Sequence, residues 1–461
     1  MEEKNVIEVT IEPENNLFKS IFKDSDKFET PDILTVEAFI AGLLWGKKRK
    51  VSDFVMRGDD CLRGEVGGGW RRISDKPIPV EQVAKIINEI DTPTSTASLD
   101  KGHDIDRRYA PIEIIAQAGS RIKERISHRF RINITQIKSP ISDDISYELT
   151  IRTLPSDPPL PHVLGLEHEF LDNFFKQNSM SLVTGGTGNG KSTLLYSIFA
   201  GWVKDGETQR TGKRILDYCK PIEYVINNTN SETFISQTEV GEMLMNFDDR
   251  SESGQWQYSG RNAVRRRPDV INIGETRDRP TFDSLMTASN TGHFATTTMH
   301  NNSCPSALQR GLRFYGFEER LGVGSDLMSY LNCIVNQELV LGSDGKTRYA
   351  LREYIIINDI MRARILNESN VERWPGMLHQ IMVDNAQRSR RDERLGISQT
   401  KYEHALRRFE AGEIGESVVS RMREQLYGMN KSLETIGSPK AVMDRQEIQS
   451  IDDSIAQRSN G

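Results

Sequence analysis

Nine consecutive residues offer the clearest chemistry in the chain: Gly185-Gly186-Thr187-Gly188-Asn189-Gly190-Lys191-Ser192-Thr193. Glycines at these spacings let backbone N–H groups turn inward around a phosphate, and a helix starting at the lysine adds the positive end of its dipole. In this pattern Lys191 reaches the β- and γ-phosphates of ATP and Ser192 holds Mg²⁺. The pattern needs a strand before it and a helix after it. Ser181-Leu182-Val183-Thr184 reads as that strand, and Leu194-Leu195-Tyr196-Ser197-Ile198-Phe199 as the apolar start of that helix.

Two acids and two histidines stand where a second half of such a site would lie. Arg267-Pro268-Asp269-Val270-Ile271-Asn272-Ile273-Gly274-Glu275 reads as a buried strand that ends on a carboxylate. Upstream, Arg214–Tyr218 reads as another strand, with Glu223 a few residues past its end. His293 and His300 bracket Phe294-Ala295-Thr296-Thr297-Thr298-Met299. Imidazole can donate to phosphate and titrates near neutrality.

Taken in order, these segments resemble the secretion and type IV pilus ATPase superfamily, the PilT-like proteins. Gly274-Glu275-Thr276-Arg277-Asp278 is similar to that family's Walker B segment, Thr291–Ser303 to its His box, and Arg214–Tyr224 to its Asp box. Arg261–Pro268, Glu318–Gly322 and Ala350–Tyr354 resemble the DotB-type branch, found in type IVB secretion and plasmid conjugation systems. The resemblance covers about residues 35–425 and is faintest in the first third. It implies Glu275 and Glu223 as catalytic carboxylates, and His300 and His293 as sensors of the γ-phosphate. It also implies that an arginine from Arg129, Arg131 or Arg152, Arg152 foremost, approaches the γ-phosphate and stabilises developing charge. Arg261, Arg265, Arg266 and Arg267 read either as a solvated helix face or as contacts to an adjacent subunit. Two departures stand out. Cys219-Lys220 occupies a place where relatives carry Glu-Asp, which leaves Glu223 as the acid there, and Asn246–Gly260 reads as a surface insertion.

The elements that must position these residues follow from pattern. Thr35–Trp45 and Val80–Ile90 have helical spacing, the stretch from Phe54 to Ile73 reads as strands around a glycine turn, and His128–Gln136 alternates like a strand. The expected organisation is a flexible 1–30, an α+β domain over 31–153, a Pro-rich linker over 154–161 and a P-loop domain over 162–387. A helical region over 388–437 and a mobile tail over 438–461 complete it. The fold class is α/β. By the resemblance, a PAS-like amino-terminal domain is joined to a RecA-like domain.

Composition narrows the function. Across 461 residues, 36% are hydrophobic and 27% charged, and the net charge is −6, against the basic excess usual in a nucleic-acid binder. No strong direct nucleic-acid binding is expected. Cys61, Cys219, Cys304 and Cys333 have no metal-ligand or disulfide spacing, and the start is acidic with no signal-peptide layout. A cytoplasmic protein, peripheral at the inner membrane, fits these features. The resemblance implies a homo-hexameric ATPase motor that works with membrane-embedded or membrane-associated components of a secretion or transfer machine. The alternatives are a pilus retraction or assembly ATPase, a helicase-like motor, and a nucleotide-binding regulator without turnover.

Overall fold

A computed structural model describes residues 8–11, 34–48, 51–66, 69–116, 123–155, 157–204, 212–226, 231–386 and 396–434. The expected mobile tail and nearly all of the expected flexible amino terminus lie outside these residues. The chain divides into two compact units, Met1–Ser156 and Asp157–Gly461.

In the first unit, β1 (Glu8–Ile11), β6 (Ile112–Ala116) and β7 (Lys123–Ser127) form a three-stranded sheet. A six-stranded sheet has the order β4-β3-β2-β9-β8-β5, from β2 (Asp53–Arg57), β3 (Arg63–Val66), β4 (Gly69–Arg72), β5 (Ile105–Tyr109), β8 (Arg129–Lys138) and β9 (Ile145–Leu154). Helices α1 (Val36–Lys48), α2 (Val80–Ile90) and α3 (Ser95–Leu99) belong to the same unit. In α2 the buried residues are Val83, Ile86 and Ile87, the i, i+3, i+4 stripe that an amphipathic helix turns toward a core. They join Phe39, Leu43, Phe54, Phe130, Leu149 and Ile151 in one apolar cluster.

The second unit is built on an eight-stranded sheet of order β12-β11-β13-β14-β10-β15-β16-β17. The strands are β10 (Ser179–Thr184), β11 (Arg214–Cys219), β12 (Phe234–Glu239), β13 (Val270–Glu275), β14 (Phe294–Met299), β15 (Leu331–Leu341), β16 (Arg348–Ile356) and β17 (Ile397–Gln399). From β12 to β15 the pairs are parallel, while β16 and β17 run antiparallel. Its helices are α4 (His168–Phe174), α5 (Lys191–Lys204), α6 (Glu252–Val264), α7 (Arg279–Asn290), α8 (Cys304–Arg313), α9 (Arg320–Tyr330), α10 (Asp359–Leu366), α11 (Trp374–Ala386), α12 (Lys401–Glu410) and α13 (Glu416–Glu434). Every residue of β10 is buried, because helices cover the parallel sheet on both faces. Alternate side chains serve two apolar clusters, with Met180 and Leu182 in one and Val183 in the other.

Two sequence expectations change here. The stretch from about Arg388 contains a strand, β17, which pairs with β16, although composition suggested helix throughout. Three residues are too few to show a period. The expected surface insertion at Asn246–Gly260 is a short loop followed by the first turns of α6, and Gly254, Gln255, Trp256, Ser259 and Gly260 are buried there. Its polar composition concealed one buried face. Among the described residues no helix is long and apolar enough to cross a membrane.

Candidate functional site

Parallel strands end together, so the loops after β10, β11, β13 and β14 meet at one edge of the sheet. Ligands of open parallel sheets bind at such carboxyl edges. The glycine loop follows β10. At Gly185 the backbone is left-handed, with φ of 155°, and a Cβ would lie 2.4 Å from the Gln337 carbonyl oxygen. Only glycine lets the loop cross β15 so closely. Helix α5 opens at Lys191, whose Nζ lies 3.0 Å from the Gly186 carbonyl oxygen and 3.4 Å from His300 Nδ1.

A charge string runs outward from Lys191. The ammonium is donor only, so His300 Nδ1 accepts and its Nε2–H faces Glu275 Oε1 at 3.0 Å. Thr187 Oγ1, 3.3 Å from the same Nδ1, adds a hydroxyl to that acceptor. Arg277 donates to Glu275 Oε2 at 2.7 Å. Burial alone would push the Glu275 carboxyl up, but the Arg277 hydrogen bond and charge, with His300 and Lys191, hold it below its ordinary value. Burial and the Lys191 charge push His300 down, against an opposing pull from Glu275, so the ring is neutral at pH 7. Burial also lowers Lys191, while Glu275 and Glu223 oppose it. The ladder register shifts between Ile273 and Glu275, a bulge of the kind that re-aims a side chain at a strand end.

Ser192, Glu223 and Glu275 line one cavity of about 70 Å³, together with Tyr196, Cys219, Trp256, Asn272 and Thr298. A hydroxyl and two carboxylates are hard oxygen donors, and this set fits Mg²⁺ held with few protein ligands and its own waters. The other acid of the Asp box, Asp217, is fully buried. It accepts from Tyr196, Cys219, Asn272 and Gln237, all neutral donors. Those bonds tie β11 to α5, β12 and β13, leaving Glu223 as the Asp-box carboxylate that faces the cavity.

Some expected residues stand elsewhere. His293 precedes β14 and lies 3.1 Å from Thr291 Oγ1 and 3.2 Å from the Ala288 carbonyl oxygen. It is at the amino end of the strand whose carboxyl end carries His300, about 20 Å away at strand rise. Arg152 sits within β9, and its Nε is 2.7 Å from Asp53 Oδ1. Arg129 donates to the Pro155 carbonyl oxygen at 3.3 Å, and Arg131 forks onto Asp106 at 2.9 and 2.6 Å. The arginine cluster divides. Arg261 and Arg265 flank a groove between α6 and α7, while Arg266 turns to Tyr218 at 3.1 Å. The left-handed backbone at Arg267, φ of 50°, separates it from the helix.

The sequence reading missed a prop beneath the glycine loop. Gln337 Nε2 donates to the carbonyl oxygens of Asn189 (2.7 Å) and Gly190 (3.1 Å). Its Oε1 accepts from Arg352 Nε at 3.0 Å. Arg352 belongs to the Ala350–Tyr354 stretch that resembles the DotB-type branch. It is fully buried, and burial lowers its guanidinium to about 10, still charged at neutral pH. Asn336 similarly joins Thr184 Oγ1 to the Asn301 carbonyl oxygen, each at 2.8 Å.

Comparison with known proteins identifies the family. The chain is 30% identical to the uncharacterized protein YggR of Escherichia coli, over 50% of this chain and 65% of that protein. It is 29% identical to the type IV pilus ATPase PilU of Pseudomonas aeruginosa, over 48% and 54% respectively. The chain therefore spans less than two thirds of these relatives' lengths. The structure of the ATPase DotB from Legionella pneumophila, 25% identical, covers 87% of this chain and 100% of its own with a TM-score of 0.69. Residues 161–449 match the family described as type II/IV secretion system protein, and the chain belongs to that family.

Proposed function

We propose that this protein is an ATPase that hydrolyses ATP with Mg²⁺ and works as a homo-hexameric motor for a type IVB secretion or conjugative transfer machine. The observation that supports it most is the hydrogen-bonded run from the P-loop lysine through His300 to Glu275 at one sheet edge. Lys191 neutralises the β/γ-phosphates, and the N–H groups of Gly186–Ser192 cradle them. Glu275 orients and deprotonates the attacking water, with Glu223 a second carboxylate across the cavity. His300 joins the base to the P-loop, so the γ-phosphate and Glu275 bear on the same ring. Ser192, with Glu223 and Glu275 nearby, would hold Mg²⁺, which supplies charge neutralisation when bound. In this reading the amino-terminal unit is PAS-like, the second is RecA-like, and the proline-rich stretch is a hinge. Arg152 is then carried to a γ-phosphate, and His293 acts at a subunit boundary rather than at its own P-loop. The protein is cytoplasmic and peripheral at the inner membrane.

A type IVB or conjugative role is favoured by the full-length structural likeness to DotB. A pilus ATPase is the second reading, favoured by the likeness to PilU. The test is whether ATP drives assembly into hexamers with steady turnover that DNA does not stimulate. Assembly without turnover would point to a regulator, and stimulation by DNA to a nucleic-acid motor. For Arg152, mixing Arg152→Ala with Lys191→Ala should restore part of the turnover that each lacks. Mixed rings with no recovery would sink a role across subunits.

A further inference from the structure

The turn that follows β14 carries His300 and runs through Asn301 and Asn302 to Ser303, the N-cap of α8. Its three consecutive carbonyl oxygens are each held by a side chain from a different element. Arg310 of α8 donates to His300 at 3.1 Å, Asn336 of β15 to Asn301 at 2.8 Å, and Lys401 of α12 to Asn302 at 2.7 Å. The first two belong to the sheet and the helix beside the turn, whereas Lys401 lies 99 residues further along the chain. It is 7% exposed and is the first residue of α12, behind the N-cap Thr400. A cation in the first turn opposes the helix dipole, and burying an ammonium costs free energy, so neither the helix nor the core accounts for a lysine there. Glu338 Oε2 lies 3.7 Å from the ammonium, and its Oε1 accepts from Arg421 of α13 at 2.5 Å. Tyr402, Ala405, Met422 and Leu426 join α12 to α13 in one apolar cluster.

We propose that Lys401 is a positioning residue for His300: by holding the Asn302 carbonyl it fixes the turn that carries the imidazole, and so ties the carboxyl-terminal helix pair to the γ-phosphate side of the site. This rests on the reading above, in which the γ-phosphate bears on the His300 ring. Arg310 and Asn336 hold the near end of the turn from within the core, and Lys401 holds its far end where α8 begins. With that end released, the ring loses its alignment between Lys191 at 3.4 Å and Glu275 at 3.0 Å. The glycine loop takes its support from Gln337 instead, so the cradle for the other phosphates stays as it was. A shift of α12 and α13 therefore changes how the site treats the γ-phosphate and not how it holds ADP.

The test is calorimetric titration of the full chain with ADP and with a nonhydrolysable ATP analogue, both with Mg²⁺, for Lys401→Met and Lys401→Arg, alongside steady-state hydrolysis. Methionine keeps the stem and drops the donor beside Met382, Met422 and Leu426, so the fold is retained and is checked by circular dichroism. Lys401→Gln repeats the test should that variant fail to fold. Lys401→Met should bind the analogue about fivefold more weakly, the scale of one hydrogen bond, with ADP affinity unmoved. Its kcat should fall about tenfold, since a misplacement remote from the chemistry can cost up to about a hundredfold. Lys401→Arg keeps a charged donor, and a cavity of about 30 Å³ beside the stem leaves room for the guanidinium, so it should restore most of both losses. A looser helix pair alone would lower the urea midpoint and leave the ratio of the two affinities as it was. An unchanged ratio in Lys401→Met, or an equal loss in Lys401→Arg, would overturn the proposal. A wild-type protein that binds both nucleotides without turnover would overturn the hydrolytic reading instead, because the two affinities are read without hydrolysis.

Discussion

Replacing Gln337 by leucine tests whether the glycine loop depends on the prop beneath it. The side chain is 3% exposed and makes hydrogen bonds to Asn189, Gly190 and Arg352. Leucine keeps most of the volume and removes all of these bonds. Asn189 and Gly190 are half-buried residues, so carbonyls released there can find water and their loss costs little. Arg352 cannot do so. Its Nε would be left as a buried charged donor without an acceptor, although Nη1 and Nη2 keep the Gly165 and Leu164 carbonyls at 3.2 and 2.6 Å. A hydrogen bond to a charged group is worth about 1.5–3 kcal/mol. The expected destabilisation is therefore about 2–3 kcal/mol, read as a lower urea midpoint for the second unit. ADP affinity measured by calorimetry should fall about tenfold, equivalent to about 1.4 kcal/mol, because the loop loses its fixed carbonyls. Gln337→Glu separates the two effects. It keeps the acceptor for Arg352 and loses the donors to the loop, so stability should recover while affinity stays low. An unchanged urea midpoint and unchanged ADP affinity in Gln337→Leu would refute the reasoning.

Lys191→Ala should abolish hydrolysis in a folded protein, since it removes the ammonium that meets the phosphates; near-normal turnover would remove the P-loop assignment. His404 gives a pH prediction. Burial, then the charges of Arg352, Arg407 and Arg408, hold its pKa well below 6.5, and its Nδ1 accepts from the Arg352 backbone N–H at 3.0 Å. The unfolded chain thus binds a proton that the folded one refuses. Stability is fully present above about pH 6.5 and is lost below it, toward the folded pKa, by at most about 1.4 kcal/mol per pH unit. His404→Asn keeps an acceptor and cannot titrate, so its urea midpoint should fall less than the wild type's between pH 7.5 and 5.5. Parallel falls would exclude His404 as the source.

The P-loop was legible in the sequence because its chemistry uses contiguous backbone. A strand, the glycines and the first helical turn carry the phosphate site without reference to any other segment. The buried strand from Val270 that ends at Glu275 was legible for the same reason, as was α2 from its helical spacing. What strand order decides was not. Gln337 lies 148 residues from Asn189 and meets it because β15 pairs with β10. Arg352 reaches Gln337 because β16 pairs with β15. The same order set β11 beside β13, which buried Asp217 among neutral donors and left Glu223 facing the cavity. His293 and His300, only seven residues apart, were sent to opposite edges because a whole strand lies between them. The polar run from Asn246 to Gly260 shows no buried face in sequence, and the packing of α6 buries Gln255, Trp256 and Ser259 there. Local backbone conformation follows from adjacent residues, but side-chain partners follow from sheet pairing, and no short stretch of sequence encodes that pairing.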